Sequence, residues 1–290
     1  MKKNVYQNSF VICLTAILLA TNVSAQNYFV DPLNGNNNNN GTSVNQAWLT
    51  IQKGVESIPG GATLILKGGT YFGKVTVPTS CNGTAARPTT IKSLDGETAI
   101  IDGSNSGTQW EGLLSLSGGQ YITFEGIKVQ NGFWYGINIA NSNNILIDGC
   151  QTFNTRASGI YVIRGSLLTI INSNVRKACQ GNVRDANGNG TQECISIVAS
   201  FDFKVTKNEI WDSTVGGSAG GEGLHQSASQ NEVVLCVCDP IIFYCLRWSR
   251  ARCSRSMRLR RIIRSRRYAT SFLIRRAAPP ISSRARLEPS

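Results

Sequence analysis

The chain has 290 residues, among them 29 Gly, 9 Cys and a single His, and its formal net charge is +12. This length is sufficient for one large domain with its own hydrophobic core. Residues 1–224 carry 15 basic and 14 acidic side chains, whereas residues 225–290 carry 14 Arg and three acidic side chains. This distribution excludes a uniformly basic protein of the nucleic-acid-binding kind, because the excess charge belongs to residues 225–290 alone.

The N-terminal segment, residues 1–25, has the pattern of a secretory signal peptide. Lys2 and Lys3 precede the apolar run Phe10–Ala20, and Val23-Ser24-Ala25 provides small residues for cleavage. The run has 11 residues, and a membrane-spanning helix needs about 20. We therefore expect a signal peptide over residues 1–25, no membrane span, and export to the periplasm, the cell surface or the medium.

Residues 26–224 consist of short β-branched runs separated by Gly and Asn, which predicts strands and turns. One segment differs, because apolar residues recur at helical spacing over 48–58. We expect a short amphipathic helix there, ended by Pro59-Gly60.

Two series of apolar strand residues recur at an interval of 23 positions. Their members are Phe124, Ile147 and Ile170 in the first series, and Ile137, Ile160, Ile195 and Leu224 in the second. The last two gaps are 35 and 29 residues, which implies insertions of 12 and 6. A period of this length predicts an all-β solenoid in which equivalent residues stack on successive coils. A sandwich or jelly roll is the alternative, and it predicts hairpin turns instead of a fixed register.

The entry segment resembles that of right-handed parallel β-helix proteins of the pectate-lyase-like superfamily. The residues that carry the resemblance are Tyr28-Phe29-Val30, Gly35, Gly41-Thr42, Trp48, Thr50-Ile51-Gln52-Lys53, Pro59-Gly60, Gly68-Gly69-Thr70-Tyr71 and the run GGEGL at 220–224. The resemblance implies a right-handed parallel β-helix over residues 26–238, with the helix at 48–58 capping its N-terminal end. It also implies a lyase that cleaves an acidic polysaccharide by β-elimination.

Such a reaction needs a hard cation beside the uronate carboxylate, and Ca²⁺ suits this task. The first insertion contains the calcium-loop pattern D-x-N-x-N-G, formed by Asp185, Asn187 and Asn189, and Glu193 stands at its ninth position. Glu222 precedes its strand by the same interval as Glu193, so we expect both carboxylates on neighbouring coils. These five residues are the candidate metal ligands; the alternative is a Gly- and Asn-rich turn.

The candidates for the catalytic base are Lys204, Lys207 and His225. The two lysines flank the strand that follows Glu193, and either could equally be a solvated surface charge. Relatives of this type continue the GEG run with I-D-x-K, whereas here His225 stands in place of the Asp and Ser227 in place of the Lys.

Cys179 and Cys194 bracket the insertion, and in an exported protein a disulfide could link them.

Residues 239–290 form an Arg-rich tail without Gly or Lys, which we interpret as irregular or disordered and as the product of a shifted reading frame. A nucleic-acid- or lipid-binding arm is the alternative, but export argues against a nucleic-acid partner. A solenoid that ended here would expose the edge of its last coil, so we expect such a chain to be inactive and either to be poorly soluble or to need a partner; correctly capped, it would be a monomer.

A second functional interpretation is a surface β-helix that binds carbohydrate without cleaving it. Hydrolase or epimerase action on the same scaffold also fits the sequence, because fold does not fix function.

Overall fold

A computed structural model of the chain describes residues 25–104, 108–181 and 193–211, together with the backbone of residues 224–227 and 232–239. The predicted signal peptide lies before these residues, and the Arg-rich tail lies almost wholly after them. All described residues belong to the first of two compact units, Met1–Arg250. The domain limits predicted at residues 25 and 238 remain predictions.

The described chain is built almost entirely of short strands. One α-helix, α1, spans Ile51–Ser57, and single 3-10 turns span Val44–Gln46 and Thr79–Cys81. In chain order the strands are β1 (Asn27–Val30), β2 (Thr63–Leu66), β3 (Gly69–Phe72), β4 (Val75–Val77), β5 (Thr89–Ser93), β6 (Ala99–Asp102), β7 (Gly112–Ser117), β8 (Gln120–Glu125), β9 (Lys128–Gln130), β10 (Tyr135–Ala140), β11 (Asn143–Asp148), β12 (Gln151–Phe153), β13 (Ile160–Ile163), β14 (Ser166–Ile171), β15 (Asn174–Arg176), β16 (Ile195–Val198), β17 (Phe201–Trp211), β18 (Leu224–Ser227) and β19 (Glu232–Asp239).

Successive strands pair in parallel with those one coil earlier and one coil later, so the chain forms a parallel β-helix with three faces. Face 1 contains β2, β5, β8, β11, β14 and the first half of β17, and face 2 contains β3, β6, β9, β12, β15 and the second half of β17. Face 3 is the sheet of β4, β7, β10, β13, β16 and β18. Each coil therefore contributes one strand to each face.

The predicted register, in which equivalent residues stack from coil to coil, is confirmed on face 1. Ile147 is the Cα partner of both Phe124 and Ile170, and the three side chains are fully buried. Equivalent apolar residues thus stack along the inside of the tube at the usual spacing between neighbouring strands. The sandwich alternative is excluded, because the strand pairs are parallel and in register from coil to coil.

The second series is confirmed on face 3, including both insertions. Ile160 pairs with Ile137 and with Ile195, and Ile195 pairs with Leu224. On face 2, β15 and β17 keep the register of β12. The two insertions must therefore lie between faces 2 and 3, the larger after β15 and the smaller after β17.

The turns between faces 1 and 2 are tight and need a left-handed backbone. The equivalent residues Gly126, Gly149, Asn172 and Lys207 have φ values of 66°, 61°, 52° and 55°. Gly and Asn adopt this conformation readily, which explains their recurrence in the sequence. Lys207 occupies the same turn position and is exposed.

The predicted N-terminal helix is shorter than the apolar spacing indicates. The Thr50 hydroxyl accepts a hydrogen bond from the Lys53 amide at 3.2 Å, so the helix begins at Ile51. Trp48 lies outside it, because its backbone forms a parallel bridge with Val30. Gly54 allows α1 to approach β1 and β2 closely, since a Cβ there would meet the Leu64 side chain at 2.9 Å. Helix α1 therefore covers the first coil, as expected of a cap.

Within the described residues no helix is both long and apolar enough to cross a bilayer.

The stability of the coils should fall at acid pH because of Asp102, the last residue of β6. Burial alone would raise the pKa of its carboxyl group, but hydrogen bonds from Ser104, Gln130 and Asn131 outweigh this effect and lower the pKa to about 2. The folded state therefore binds the proton less tightly than the unfolded chain, whose Asp pKa is about 3.9.

We expect this carboxylate to contribute about 2 kcal/mol of stability above pH 4, lost as the pH falls from about 4 to about 2. Urea unfolding of Asp102→Asn between pH 2 and pH 7 should show that part of the pH dependence removed. If the free energy of unfolding of Asp102→Asn falls at acid pH as much as that of the wild type, the pH dependence arises from other groups.

Candidate functional site

The connections between faces 2 and 3, here named corner 2–3, vary most in length from coil to coil. They comprise residues 103–111 after β6, 131–134 after β9, 154–159 after β12 and 177–194 after β15. Backbone hydrogen bonds join these connections from coil to coil, from Arg156 N to Gly132 O at 3.2 Å and from Gly181 N to Arg156 O at 2.8 Å. The corner is therefore a continuous ridge that leads from the N-terminal coils to the larger insertion.

A file of polar residues runs along face 3 beside this corner. In register across the strands it consists of Thr76, Ser115, Asn138, Tyr161, Ser196 and His225. The neighbouring positions on both sides are apolar and buried in each strand whose side chains are described. Because side chains alternate along a strand, this file faces outward. We refer to it as the polar file; the side chain of His225 lies outside the description, so only its register position is used.

Glu193 lies at the end of corner 2–3, where the chain enters face 3. The Ser196 hydroxyl donates to Glu193 Oε2 at 2.5 Å, and the Ser158 and Ser196 hydroxyls are 3.1 Å apart. Burial raises the pKa of the Tyr161 phenol; a hydrogen bond with Tyr135 opposes this increase, and the negative charge of Glu193 adds to it. The carboxylate is therefore half-buried and held beside the polar file.

The candidate bases lie on different faces. Lys204 is an exposed residue of face 1, and Lys207 is the exposed turn residue between faces 1 and 2. His225 is the Cα partner of Ser196 on face 3. The fold brings the backbone position of His225 close to the Glu193 network, and it leaves the two lysines on other parts of the coil. The role of each as a base stays a prediction.

Of the five candidate metal ligands, only Glu193 has a described side chain. Asp185, Asn187, Asn189 and Glu222 lie outside the described residues. In the part of the chain that is described, no group of three or more His, Cys, Asp and Glu side chains could hold a metal ion. The described residues therefore supply one carboxylate for Ca²⁺ and do not by themselves make a site.

Cations gather on face 2 at the edge of the same corner. The ammonium groups of Lys128 and Lys177 lie 5.6 and 5.7 Å from the centre of the Phe153 ring, and the Arg176 guanidinium lies 5.6 Å from it. Arg176 also stacks on Trp211 at 4.0 Å. Neither lysine has a carboxylate within ion-pair distance among the described residues. This surface carries an excess of positive charge suited to an anionic ligand.

Cys179 and Cys194 are both buried. A hydrogen bond with Cys194, together with burial, raises the pKa of the Cys179 thiol. The two residues are therefore close enough to interact directly, while the disulfide predicted between them stays a prediction.

The polar file and the corner cations are functional candidates that the sequence analysis missed. A signal for the file was present, because one polar residue sits between two apolar residues in LSL, INI, IYV and ISI. No comparable sequence pattern marked the cations around Phe153. Lys128, Arg176 and Lys177 come together only because strands one period apart along the chain are adjacent in the fold.

Residues 28–202 match the family described as "Pel9A-like, right handed beta helix region". The chain belongs to this family. The match covers the described coils up to the start of β17 and confirms the resemblance to pectate-lyase-like β-helices. The fold is accordingly a right-handed parallel β-helix of polysaccharide-lyase type.

Two curated relatives and one solved structure show what this Pel9A-like chain resembles. It is 28% identical over 148 residues to pectate lyase PEL9 of Emericella nidulans, covering 47% of this chain and 35% of that protein. It is 29% identical over 158 residues to pectate lyase L of Dickeya dadantii, covering 50% and 36%. The crystal structure of pectate lyase Pel9A superposes with a TM-score of 0.59 at 21% identity, covering 73% of this chain and 53% of that chain. The chain thus spans about a third of the length of these curated relatives.

Proposed function

We propose that this chain is part of a secreted, calcium-dependent lyase that cleaves an acidic polysaccharide by β-elimination. The observation that carries the proposal is that Glu193 accepts a hydrogen bond from Ser196 of the polar file on face 3, while the cations around Phe153 lie on the neighbouring face 2 of a Pel9A-like β-helix. Two relatives named pectate lyases support a polyuronate as the substrate class. Export is supported by the signal-peptide pattern of residues 1–25.

The reaction makes three demands on the protein. A base takes the proton from the carbon α to the uronate carboxylate, the electron pair of the broken C–H bond forms the C=C bond, and the β C–O bond breaks with its electron pair leaving on the sugar oxygen. The departing sugar oxygen then receives a proton. Negative charge develops on the carboxylate during this step, so fixed positive charges near it lower the barrier. Lys128, Arg176 and Lys177 offer such charges to the polymer beside the reacting unit.

Among the candidate bases, His225 has the best support. Its register position follows Ser196 in the polar file, one coil from the Glu193 network. An imidazole of ordinary pKa accepts a proton near neutral pH, whereas a lysine must first have its pKa lowered. Lys204 and Lys207 remain the second choice because each is exposed on another part of the coil.

Calcium would be held by Glu193 together with Asp185, Asn187, Asn189 and Glu222. The support is the spacing of oxygen-bearing side chains in the insertion, together with the equal sequence interval by which Glu193 and Glu222 precede the paired residues Ile195 and Leu224. When bound, Ca²⁺ would neutralise the carboxylate whose α-proton is removed.

The test is an elimination assay with the full chain and polygalacturonate, alginate or chondroitin as substrate. A chain whose last coil is covered should release unsaturated product, seen by its ultraviolet absorbance, in millimolar Ca²⁺ and none after chelation; a chain that leaves this coil exposed should be inactive, as the sequence predicts. His225→Ala should reduce turnover about 100-fold or more, whereas Lys204→Ala and Lys207→Ala should retain it. Full activity of His225→Ala would overturn its assignment as the base.

The alternative function is carbohydrate binding without cleavage. The cations around Phe153 favour it equally, since they bind a polyanion whether or not a base is present. Polysaccharide binding without unsaturated product would support this alternative, and product sizing would separate it from hydrolysis.

A further inference from the structure

Two exposed aromatic rings of the described residues lie at corner 2–3 on successive coils. Trp110, before β7, is 60% exposed, and Phe133, before β10, is 47% exposed. The two loops are joined by the hydrogen bond from Tyr135 N to Glu111 O at 3.0 Å. Apolar rings exposed in neighbouring loops leave a surface that water solvates poorly.

The backbone and packing of Trp110 show that this exposure is maintained at a cost. Its φ is 70°, a left-handed conformation that is rare for a bulky side chain. The centre of its ring lies 5.1 Å from the centre of the Trp134 ring. Trp134 is 3% exposed, and its indole Nε1 has no hydrogen-bond partner among the described residues. The exposed ring of Trp110 therefore packs on a buried indole whose donor is unsatisfied.

The next coil adds a positive charge to the same ridge. The Arg156 guanidinium is exposed and lies 5.7 Å from the centre of the Phe133 ring. No carboxylate lies within ion-pair distance of it in the described ranges. Gly181, one coil further, leaves space for this side chain, because a Cβ there would meet Arg156 Cγ at 2.5 Å. In the sequence, residues 182–192 and then Glu193 follow Gly181.

We propose that Trp110, Phe133 and Arg156 form a binding track for an acidic polysaccharide, leading along corner 2–3 to the coil of Glu193. The faces of pyranose rings carry C–H groups that pack on the two aromatic rings. The guanidinium of Arg156 binds a uronate carboxylate, with which it can make two parallel hydrogen bonds. We prefer an acidic polysaccharide to a protein as the ligand of the track. The track combines single exposed aromatic rings with a cation, and further cations line face 2 beside it. The substrate class of the track rests on the proposed function.

The experiment measures the affinity of the full chain for hexagalacturonate, without turnover, by calorimetry in the presence of a calcium chelator. Trp110→Ala and Phe133→Ala should each weaken binding about tenfold, since an aromatic contact contributes about 0.5–1.5 kcal/mol. Arg156→Gln should weaken it about tenfold and reduce its salt dependence, while leaving any binding of the neutral cellohexaose unchanged. Trp110→Phe should restore most of the affinity lost in Trp110→Ala.

Phe201→Ala and Arg164→Gln are the matched controls. Phe201 is 55% exposed on face 1, and Arg164 is an exposed arginine of a different corner, so neither should change affinity. Unfolding curves must show that the track variants are folded; if Trp110→Ala is not, Phe133→Ala and Arg156→Gln provide the test. The track would be overturned if binding kept its wild-type strength in all three track variants. It would also be overturned if the wild-type chain bound none of polygalacturonate, alginate and chondroitin. Binding that depends on the track in a chain without lyase activity would leave the track standing and remove only the proposed function.

Discussion

Phe124→Ala should lower the free energy of unfolding by about 3–5 kcal/mol. Phe124 is fully buried on face 1 and is the Cα partner of Ile91 on one side and Ile147 on the other. Its truncation removes the transfer free energy of a phenyl ring and leaves a cavity between three coils. The stacked coils on both sides are fixed by hydrogen bonds, so they cannot close around the cavity without breaking register.

Urea unfolding of the full chain followed by circular dichroism measures this loss. Phe201→Ala is the matched control, because the same substitution at a ring that is 55% exposed should change stability by no more than about 0.5 kcal/mol. Equal losses in the two variants would show that Phe124 does not lie inside a tube.

Glu193→Gln should weaken Ca²⁺ binding about 10- to 100-fold, because a charged ligand oxygen is replaced by a neutral amide. A cation that binds only the folded chain stabilises it by about 2.7 kcal/mol at 100 times its dissociation constant. At the same Ca²⁺ concentration the variant should retain only about 0.4–1.4 kcal/mol of this stabilisation. Thermal unfolding during a Ca²⁺ titration provides the readout, and it does not depend on activity.

Glu209→Gln is the control for this prediction. Glu209 is an exposed carboxylate of face 2 that accepts a hydrogen bond from Asn174 at 3.3 Å, and its loss should leave the Ca²⁺ midpoint unchanged. Equal midpoints for wild type and Glu193→Gln would remove Glu193 from the calcium ligands. If millimolar Ca²⁺ stabilises none of the three proteins, the calcium requirement itself is wrong.

The sequence predicted the apolar interior accurately because a parallel β-helix repeats its pattern at a constant interval. Once Phe124, Ile147 and Ile170 are recognised as equivalent, stacking follows from the geometry of hydrogen-bonded strands. The insertions were also visible as gaps of 35 and 29 residues in an otherwise constant period. The helix was predicted too long, because Trp48 continues the apolar spacing while its backbone pairs with Val30.

The candidate site was predicted less well, since surface chemistry depends on which turn of the coil a residue occupies. Lys204 and Lys207 are close to Glu193 in sequence, yet the chain turns between them and separates them on different faces. Lys128 and Lys177 are far apart in sequence and contact the same ring. Spacing along the chain therefore predicted the contacts of the core, whereas it did not predict that Lys128 and Lys177 lie over the same ring.

By itself the sequence determined the period, the strand register and the place of the insertions, because burial of one apolar position per turn is a local, repeated requirement. The tertiary structure alone decided that Lys128 and Lys177 lie over the same Phe153 ring, and that the Glu193 carboxylate accepts a hydrogen bond from Ser196. Lys128, Lys177 and Glu193 do not stand at equivalent positions of the 23-residue period. Their association arises from the stacking of the coils, which brings distant turns of the chain within a few ångströms of one another.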